Sequence, residues 1–371
     1  MTVSNARITA SPAVEVGRIA RLQTRTISAR PLLSWGEPVD RLHFVIATVT
    51  TDRGFQGTGF SWVPHVGRQA IDALLRFDIG RAVYGWPAQP VDVWNRLRMH
   101  LREAGSGGLC SIAMAALDLA LWDLTAKSVS MSVSQLLGGG ATTCPAYTSG
   151  INFHFSDDEL HRQVQSWVTA GATAVKVKVG HENLGDDQRR LTIVRTTIGP
   201  DRKLMVDANQ RWSLTQALHA LDAIEEFDVD WIEEPLNAHD LDGYVSLAAA
   251  SAIPIALGEN LYHEYEFERF MAAGACAVIQ PNIVRVGGIT PFMRLGQLAS
   301  EHGIRLVPHL LPEVSGPLVS TLPQPTMVEM PDGALFDERG ILQETGPVQC
   351  VGDAIEIDHR AGLGLEFVSS V

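Results

Sequence analysis

The chain of 371 residues is 46% hydrophobic and 19% charged, and it carries a net charge of −13. This length and composition predict a globular protein with two structural units. The acidic balance argues against a nucleic-acid partner, since phosphates attract a basic surface, and we expect no membrane-spanning run and no signal peptide. Four scattered cysteines show no metal-binding spacing, so we expect free thiols and a cytoplasmic location.

The first unit is predicted to be an α+β domain over residues 1–140, with a sheet followed by helices. Apolar and polar residues alternate through residues 16–64 in three runs separated by turn residues, which is typical of an antiparallel meander. Helical periodicity follows at 66–78 and 89–103, and most strongly at 109–129.

From about residue 145 the pattern changes to short apolar strands that alternate with helices, two of which begin at capping boxes at 156–159 and 213–216. The strand candidates are PAYTSG, AVKVKVG, KLMVDAN, VDWIEEP, PIALGEN, AVIQPNI, RLVPHL and TMVEMP. Eight such strands predict a (β/α)8 barrel of the TIM type over 141–340, although spacing alone leaves an open doubly wound sheet possible. We expect residues 341–371 to pack back on the first unit.

Three acidic residues close three of these apolar runs at intervals of 26 residues: Asp207, Glu233 and Glu259. A period of this size corresponds to one strand, one helix and two short loops of a barrel. Carboxylates at the same end of consecutive parallel strands would converge and repel one another unless a cation bound them. Carboxylates without His or Cys favour Mg²⁺, or alternatively Mn²⁺. Taken singly, each could instead be a helix cap or a surface ion-pair partner.

The remaining strand ends add acid–base candidates. Lys176 and Lys178 share one face of the second barrel strand, where their mutual repulsion and a nearby cation would favour a neutral amine that can act as a base. His309 ends the seventh strand, opposite the lysines, and is a candidate general acid or base. Glu329 on the eighth strand is placed to hydrogen-bond a substrate oxygen. Solvated lysines and a core histidine are the structural alternatives.

Taken together, these motifs resemble the mandelate racemase subgroup of the enolase superfamily. The matching elements, in order along the chain, are KVKVG, MVDANQ, WIEEPL, GEN, PNIVRVGGIT and PHL. The resemblance implies an α/β fold, a modified (β/α)8 barrel with an N-terminal α+β capping domain. It also implies a Mg²⁺-dependent enzyme that removes the proton α to a carboxylate through an enediolate. The likeness is to galactarate- and talarate-type acid-sugar dehydratases, which implies a small carboxylate substrate and a homo-oligomer of between two and eight subunits.

The resemblance also implies a role for each site residue. Asp207, Glu233 and Glu259 are the metal ligands, and Asn209 contacts the substrate or a metal-bound oxygen. Lys178 is the base, and Lys176 neutralises the substrate carboxylate. His309 is the second acid–base group, and Glu329 is the donor that stabilises the enediolate. Substrate selection falls to the loop around Trp35 and to the stretch 61–65, which ends at His65.

One position departs from the family pattern. An aspartate normally partners the histidine, but Asn282 stands 27 residues before His309. An amide can hold the imidazole but cannot stabilise imidazolium, and the same exchange elsewhere has cost roughly 10⁴-fold in rate. We therefore expect His309 to be a poor base that can still donate a proton. This favours a hydro-lyase that forms a 2-keto-3-deoxy acid. A racemase, epimerase or cycloisomerase, and a metal-binding protein with lost catalysis, are the alternatives.

Overall fold

The structure is a computed structural model, and it describes residues 14–32, 39–64, 66–324 and 326–369. Two predicted substrate-loop residues, Trp35 and His65, lie outside the described residues. The predicted fold class is confirmed for the part described: a small antiparallel sheet with helices precedes an eight-stranded β/α barrel.

The N-terminal sheet is the predicted meander, with three antiparallel strands in the order β1-β2-β3. Its strands are β1 (Ile19–Ala29), β2 (Leu42–Thr51) and β3 (Gln56–Val63). Helix α4 (Leu109–Ser128) lies directly on β3 because two glycines allow it to approach. A Cβ on Gly57 would lie 2.2 Å from the Ala120 carbonyl oxygen, and one on Gly59 would lie 2.3 Å from that of Ala116.

The helices of the first unit surround α4. They are α1 (Arg68–Ala73), a π-helix (Leu74–Ile79), α2 (Gly80–Val83), α3 (Pro90–His100), a 3-10 turn (Arg102–Ala104) and α5 (Val133–Leu136). In length and hydropathy α4 would pass for a membrane-spanning helix, contrary to our expectation of no such run, yet 94% of its apolar stretch is buried inside the protein. It is a core helix.

The barrel contains the eight predicted strands, all parallel, in the hydrogen-bonded order β10-β9-β8-β7-β6-β5-β4-β11. Their bounds are β4 (Thr143–Ser149), β5 (Ala174–Lys178), β6 (Lys203–Asp207), β7 (Val229–Glu233), β8 (Ile255–Leu257), β9 (Val278–Ile279), β10 (Arg305–Leu306) and β11 (Val328–Pro331). The Thr326 hydroxyl donates to the Leu306 carbonyl at 2.5 Å, which links the two ends of this order.

Helices alternate with these strands around the outside. They are α6 (Asp157–Thr169), α7 (Leu184–Ile198), α8 (Leu214–Ile224), a 3-10 turn (Glu225–Phe227), α9 (Leu241–Ala250), α10 (Glu264–Ala272), α11 (Ile289–Glu301) and α12 (Pro312–Val319). Both predicted capping boxes are present, at the start of α6 and of α8. Inside the barrel a separate apolar cluster includes Tyr147 and Trp231, whose rings meet edge to face at 5.6 Å. Because this apolar cluster fills the barrel interior, a polar site is expected at the ends of the strands.

The C-terminal segment divides between the two units. A hairpin of β12 (Val348–Val351) and β13 (Ala354–Ile357) adds to the barrel sheet, with β13 antiparallel to β4. The residues after it lie against the first unit, where Phe367 packs 5.5 Å from Phe60 and Gly362 pairs with Ser132. The domain boundaries at residues 140 and 340 stay a prediction.

Candidate active site

Charged side chains stand side by side where consecutive barrel strands end. Lys178 on β5 is in register with Asp207 on β6, which is in register with Glu233 on β7. Glu259 follows the last residue of β8 by two positions. Because the carboxyl ends of parallel strands share one edge, the three predicted ligands and the predicted base lie at the same end of the barrel.

The backbone is strained at this end. In the described part of the chain, seven non-glycine residues have a positive φ. Five of them lie within five residues after the ends of β6, β7 and β10: Asn209, Gln210, Glu234, Leu310 and Leu311. Each such conformation costs on the order of 1–3 kcal/mol and persists only where the surroundings enforce it, which is typical of functional sites.

Each predicted metal ligand is paired with a predicted catalytic lysine or histidine. The Lys176 ammonium lies 2.5 Å from Glu233 and 2.9 Å from Glu329, and the Lys178 ammonium contacts Asp207. All five side chains are buried or nearly so, and the exposed fraction is largest for Lys178, at 16%.

The fourth pair joins the two sides of the barrel mouth. His309 Nε2 lies 2.7 Å from a carboxylate oxygen of Glu259. The structure therefore brings together every described residue that we predicted to bind the metal or to move a proton.

The direction of the lysine pKa shift differs from our expectation. Burial, the largest single effect, lowers the pKa of Lys178, but Asp207, Glu259 and Glu233 together raise it more, and the net pKa is raised. For Glu329 burial raises the pKa, but Lys176 and His309 outweigh burial and lower it to about 2. Glu329 is thus a carboxylate that accepts from Lys176 and from the Leu310 amide at 3.0 Å. The donor role implied by the resemblance requires its protonated form.

The donor set fits a hard divalent cation. Glu233 has one buried carboxylate oxygen without a hydrogen-bond partner. Glu259 Oε1 accepts a hydrogen bond from the side-chain amide of Asn260 at 2.9 Å. Carboxylate oxygens are the ligands that Mg²⁺ prefers. Within the described ranges, no three His, Cys, Asp or Glu side chains already form a closed metal site. Each of these carboxylates instead contacts Lys176, Lys178 or His309. Asp207, Glu233 and Glu259 as ligands therefore stay a proposal.

Side-chain amides, which sequence reasoning missed, hold the carboxylates. Gln280 donates to Glu233 at 2.9 Å. Glu234, the neighbour of Glu233 in the sequence, accepts from Asn260 at 2.7 Å and from Gln210 at 2.9 Å. The only signal for these amides was their place directly after strands, in GEN, IQPN and DANQ.

Asn282 meets His309 as the sequence predicted, and its orientation is fixed. Its oxygen accepts from the backbone amides of Val284 at 3.0 Å and Arg285 at 3.1 Å. Its nitrogen, 3.1 Å from His309 Nδ1, must therefore donate to that ring atom. A neutral imidazole that accepts at Nδ1 carries its proton on Nε2, the atom that faces Glu259.

A cavity of ≈ 260 Å³ opens above these residues. Asn209, Lys176 and Lys178 line its floor beside the charged groups described above. The first unit contributes Trp62 and Pro64, which belong to the predicted substrate-selecting stretch. The site is thus built on the barrel and covered by the first unit.

Comparisons with known proteins agree with this arrangement. Residues 19–138 match the family Mandelate racemase / muconate lactonizing enzyme, N-terminal domain, and residues 159–371 match the family Enolase C-terminal domain-like. The chain belongs to the mandelate racemase/muconate lactonizing enzyme family of the enolase superfamily.

Three members of this superfamily illustrate the similarity. L-talarate/galactarate dehydratase of Salmonella typhimurium is 35% identical over 92% of this chain and 85% of its own. D-galactarolactone cycloisomerase of Agrobacterium fabrum is 30% identical over 94% and 96%, respectively. The structure of L-talarate dehydratase from Polaromonas sp. JS666, complexed with Mg and L-glucarate, has a TM-score of 0.85 at 31% identity and covers 95% of both chains. The predicted family is confirmed.

Proposed function

We propose that this protein is a Mg²⁺-dependent hydro-lyase that dehydrates an acid sugar to a 2-keto-3-deoxy acid. The substrate is a small carboxylate, and Asp207, Glu233 and Glu259 would hold the ion. When bound, Mg²⁺ supplies positive charge that competes with the lysines for these carboxylates and stabilises the anion formed from the substrate. The dehydratase relatives and the paired acid–base groups at the strand ends support this assignment.

The residues of the chain divide the reaction between two sides of the cavity. As a neutral amine, Lys178 Nζ takes the proton from the carbon α to the substrate carboxylate, and Lys176 stays an ammonium that neutralises that carboxylate. His309 Nε2–H donates its proton to the β-hydroxyl, which leaves as water when the carbon–oxygen bond breaks. The resulting enol takes up a proton and becomes the 2-keto acid. General acid–base catalysis of this kind contributes about 10²–10⁴-fold.

The orientation of Asn282 favours dehydration over racemisation. Racemisation needs a base on each face of the α-carbon. Because Asn282 donates to His309 Nδ1, the neutral ring carries a proton on Nε2 and has no lone pair there to accept another. The same N–H is suited to protonating a leaving hydroxyl. His309 therefore serves as an acid and Lys178 as the single base.

The decisive experiment is a panel of acid sugars with Mg²⁺, assayed for 2-keto acid and, in D₂O, for exchange of the α-hydrogen. We expect 2-keto acid from at least one sugar, with exchange from one configuration at the α-carbon only. In Asn282→Asp the carboxylate accepts a hydrogen bond from Nδ1–H, which leaves the Nε2 lone pair free, so this variant should gain exchange from the opposite configuration. Wild-type exchange from both configurations would contradict the single-base assignment.

A cycloisomerase is the second candidate, since a cycloisomerase is among the relatives that cover nearly the whole chain. It would begin with the same proton transfer to Lys178 but would yield an isomer of its substrate without loss of water. Exchange without 2-keto acid would favour it or a racemase. Magnesium binding without any exchange would favour a protein that has lost catalysis.

We also propose a cytoplasmic homo-oligomer. All four cysteines are free thiols, and three of them are buried, which suits a reducing compartment. Light scattering coupled to gel filtration measures the subunit number, and a monomer at micromolar concentration would contradict the proposal.

A further inference from the structure

The backbone amide of Lys178 is held by a side chain rather than by the sheet. The paired residues of β4 and β5 end at Ser149 and Lys176, two positions before Lys178. The Lys178 N–H donates instead to Asn152 Oδ1 at 3.0 Å. Asn152 is completely buried, and Arg190 donates to its backbone carbonyl at 2.7 Å. A buried amide thus takes the place of the missing neighbouring strand.

This contact is the end of a chain of hydrogen bonds. The Asn152 nitrogen donates to Gln163 Oε1 at 2.9 Å, and the Gln163 nitrogen donates to Asp332 Oδ2 at 3.0 Å. Gln163 lies on α6 and is 9% exposed, whereas Asp332 follows β11 and lines the cavity. Three hydrogen bonds therefore connect the cavity wall to the backbone of Lys178.

The two ends of the chain fix the direction of every bond in it. The Asp332 carboxylate can only accept and the Lys178 N–H can only donate, so Gln163 and Asn152 each have one possible amide orientation. Their dipoles then align head to tail and end on a negative charge. In a buried site such hydrogen bonds strengthen one another.

The backbone at Gly150 packs closely against the side chains that form these hydrogen bonds. A Cβ on Gly150 would lie 2.9 Å from both amide atoms of Gln163 and 2.9 Å from the Trp167 ring, so only glycine allows that approach. Trp167 also donates its indole N–H to Asp332 Oδ2 at 3.2 Å. The carboxylate is thus held by two donors from α6.

We propose that the Asp332–Gln163–Asn152 chain is a positioning device for Lys178. The inference rests on the proposed function, in which Lys178 is the base. These hydrogen bonds hold the backbone at the end of β5, and so set the position of the Lys178 side chain relative to the substrate α-carbon. A displacement on the order of 1 Å costs about 10²-fold in a proton transfer of this kind. Gln163, Asn152 and Asp332 are positioning residues, since they act through Lys178.

The test compares two glutamines on α6. Gln163→Met conserves volume but breaks the middle of the chain. Gln165→Met serves as the control, since it removes an exposed amide that donates to the Thr169 hydroxyl on the same helix. With the substrate identified by the panel, we expect Gln163→Met to lower kcat by about 10- to 100-fold with KM little changed. The isotope effect from α-deuterated substrate should increase, since proton transfer becomes more rate-limiting. The control should keep the wild-type values.

Variants of Asp332 test whether the three hydrogen bonds act as one connected chain or as independent contacts. Asp332→Asn keeps an accepting oxygen and should lower kcat less than Asp332→Ala, which removes the acceptor altogether. Combined with Gln163→Met, Asp332→Ala should cost no more than the worse single change, because both break one chain. Multiplied effects would overturn the proposal, as would a Gln163→Met protein with the control's kcat and isotope effect. A wild-type protein without dehydration or exchange would overturn the proposed function as well.

Discussion

Two regions of this protein bury carboxylates, and they do so with different partners. At the barrel mouth Asp207 faces the Lys178 ammonium and Glu259 faces the His309 ring. Between α4 and the barrel, Asp118 accepts from the backbone amide of Thr290 at 3.0 Å and from its hydroxyl at 2.6 Å, and so caps the start of α11.

These two regions differ in whether the partner of the carboxylate can be exchanged. Backbone amides cannot leave their carboxylate without unfolding a helix end, whereas a lysine or histidine can exchange it for a metal or substrate. Burial raises the pKa of Asp118 to about 7 against the opposing effect of its bonds to Thr290. At the mouth, His309 and Arg285 outweigh burial and hold the pKa of Glu259 well below its usual range.

The largest expected effect comes from the base. Lys178→Ala should lower 2-keto acid formation and α-hydrogen exchange by about 10³–10⁴-fold, because no other group is placed to take that proton. Asp118→Asn, at the structural carboxylate, should keep wild-type turnover. Steady-state kinetics and exchange in D₂O measure both, and full activity of Lys178→Ala would rule out the assigned base.

The next effect appears in the pH dependence of stability. The pKa of Asp118 is about 7 when folded and ordinarily 3.8, so between these values the folded state binds more protons than the unfolded state. The contribution of Asp118 to the free energy of unfolding is therefore greatest below about pH 4 and decreases toward pH 7, by at most about 1.4 kcal/mol per pH unit.

Urea unfolding of the wild type and of Asp118→Asn from pH 4.5 to 7.5 measures this contribution. The stability of the wild type relative to the variant should fall as the pH rises, since asparagine does not titrate. A difference that is constant with pH would show that Asp118 is ionised throughout.

The smallest expected effect is the change in the free energy of unfolding on Mg²⁺ binding, which should depend on the barrel-mouth carboxylates and not on Asp118. At a concentration 100 times its dissociation constant, Mg²⁺ should raise the free energy of unfolding by about 2.7 kcal/mol. Asp207→Asn and Glu259→Gln should reduce this gain in a thermal-unfolding assay, whereas Asp118→Asn should keep it. An equal gain in all four proteins would place the ion elsewhere.

The sequence predicted the eight barrel strands because each is a short, buried apolar run bounded by turn residues. It missed the hairpin Val348–Ile357, whose residues are largely exposed in β12 and whose pairing with β4 depends on a strand some 200 residues earlier. It also missed the π-helix Leu74–Ile79, because one π turn differs from an α-helix in its backbone hydrogen bonds, and side-chain composition does not report those bonds.

The part of the candidate site that follows the strand-and-helix repeat of the barrel could be predicted from the sequence. A strand-and-helix period of 26 residues places Asp207, Glu233 and Glu259 at one edge of any parallel barrel, whatever their partners. The amides that support the site had no such signal. Gln163 and Asp332 are 169 residues apart, and only folding makes them neighbours.

The amino-acid sequence was enough to predict which charged groups meet at the barrel mouth, because strand alternation and parallel topology place the end of each strand. What those groups can do depends on contacts that form only in the folded protein. The lysines are protonated beside carboxylates, and the Asn282 amide is turned by the Val284 and Arg285 backbone so that it donates to His309. Hydrogen-bond direction depends on every neighbour of an amide, and those neighbours come from separate parts of the chain.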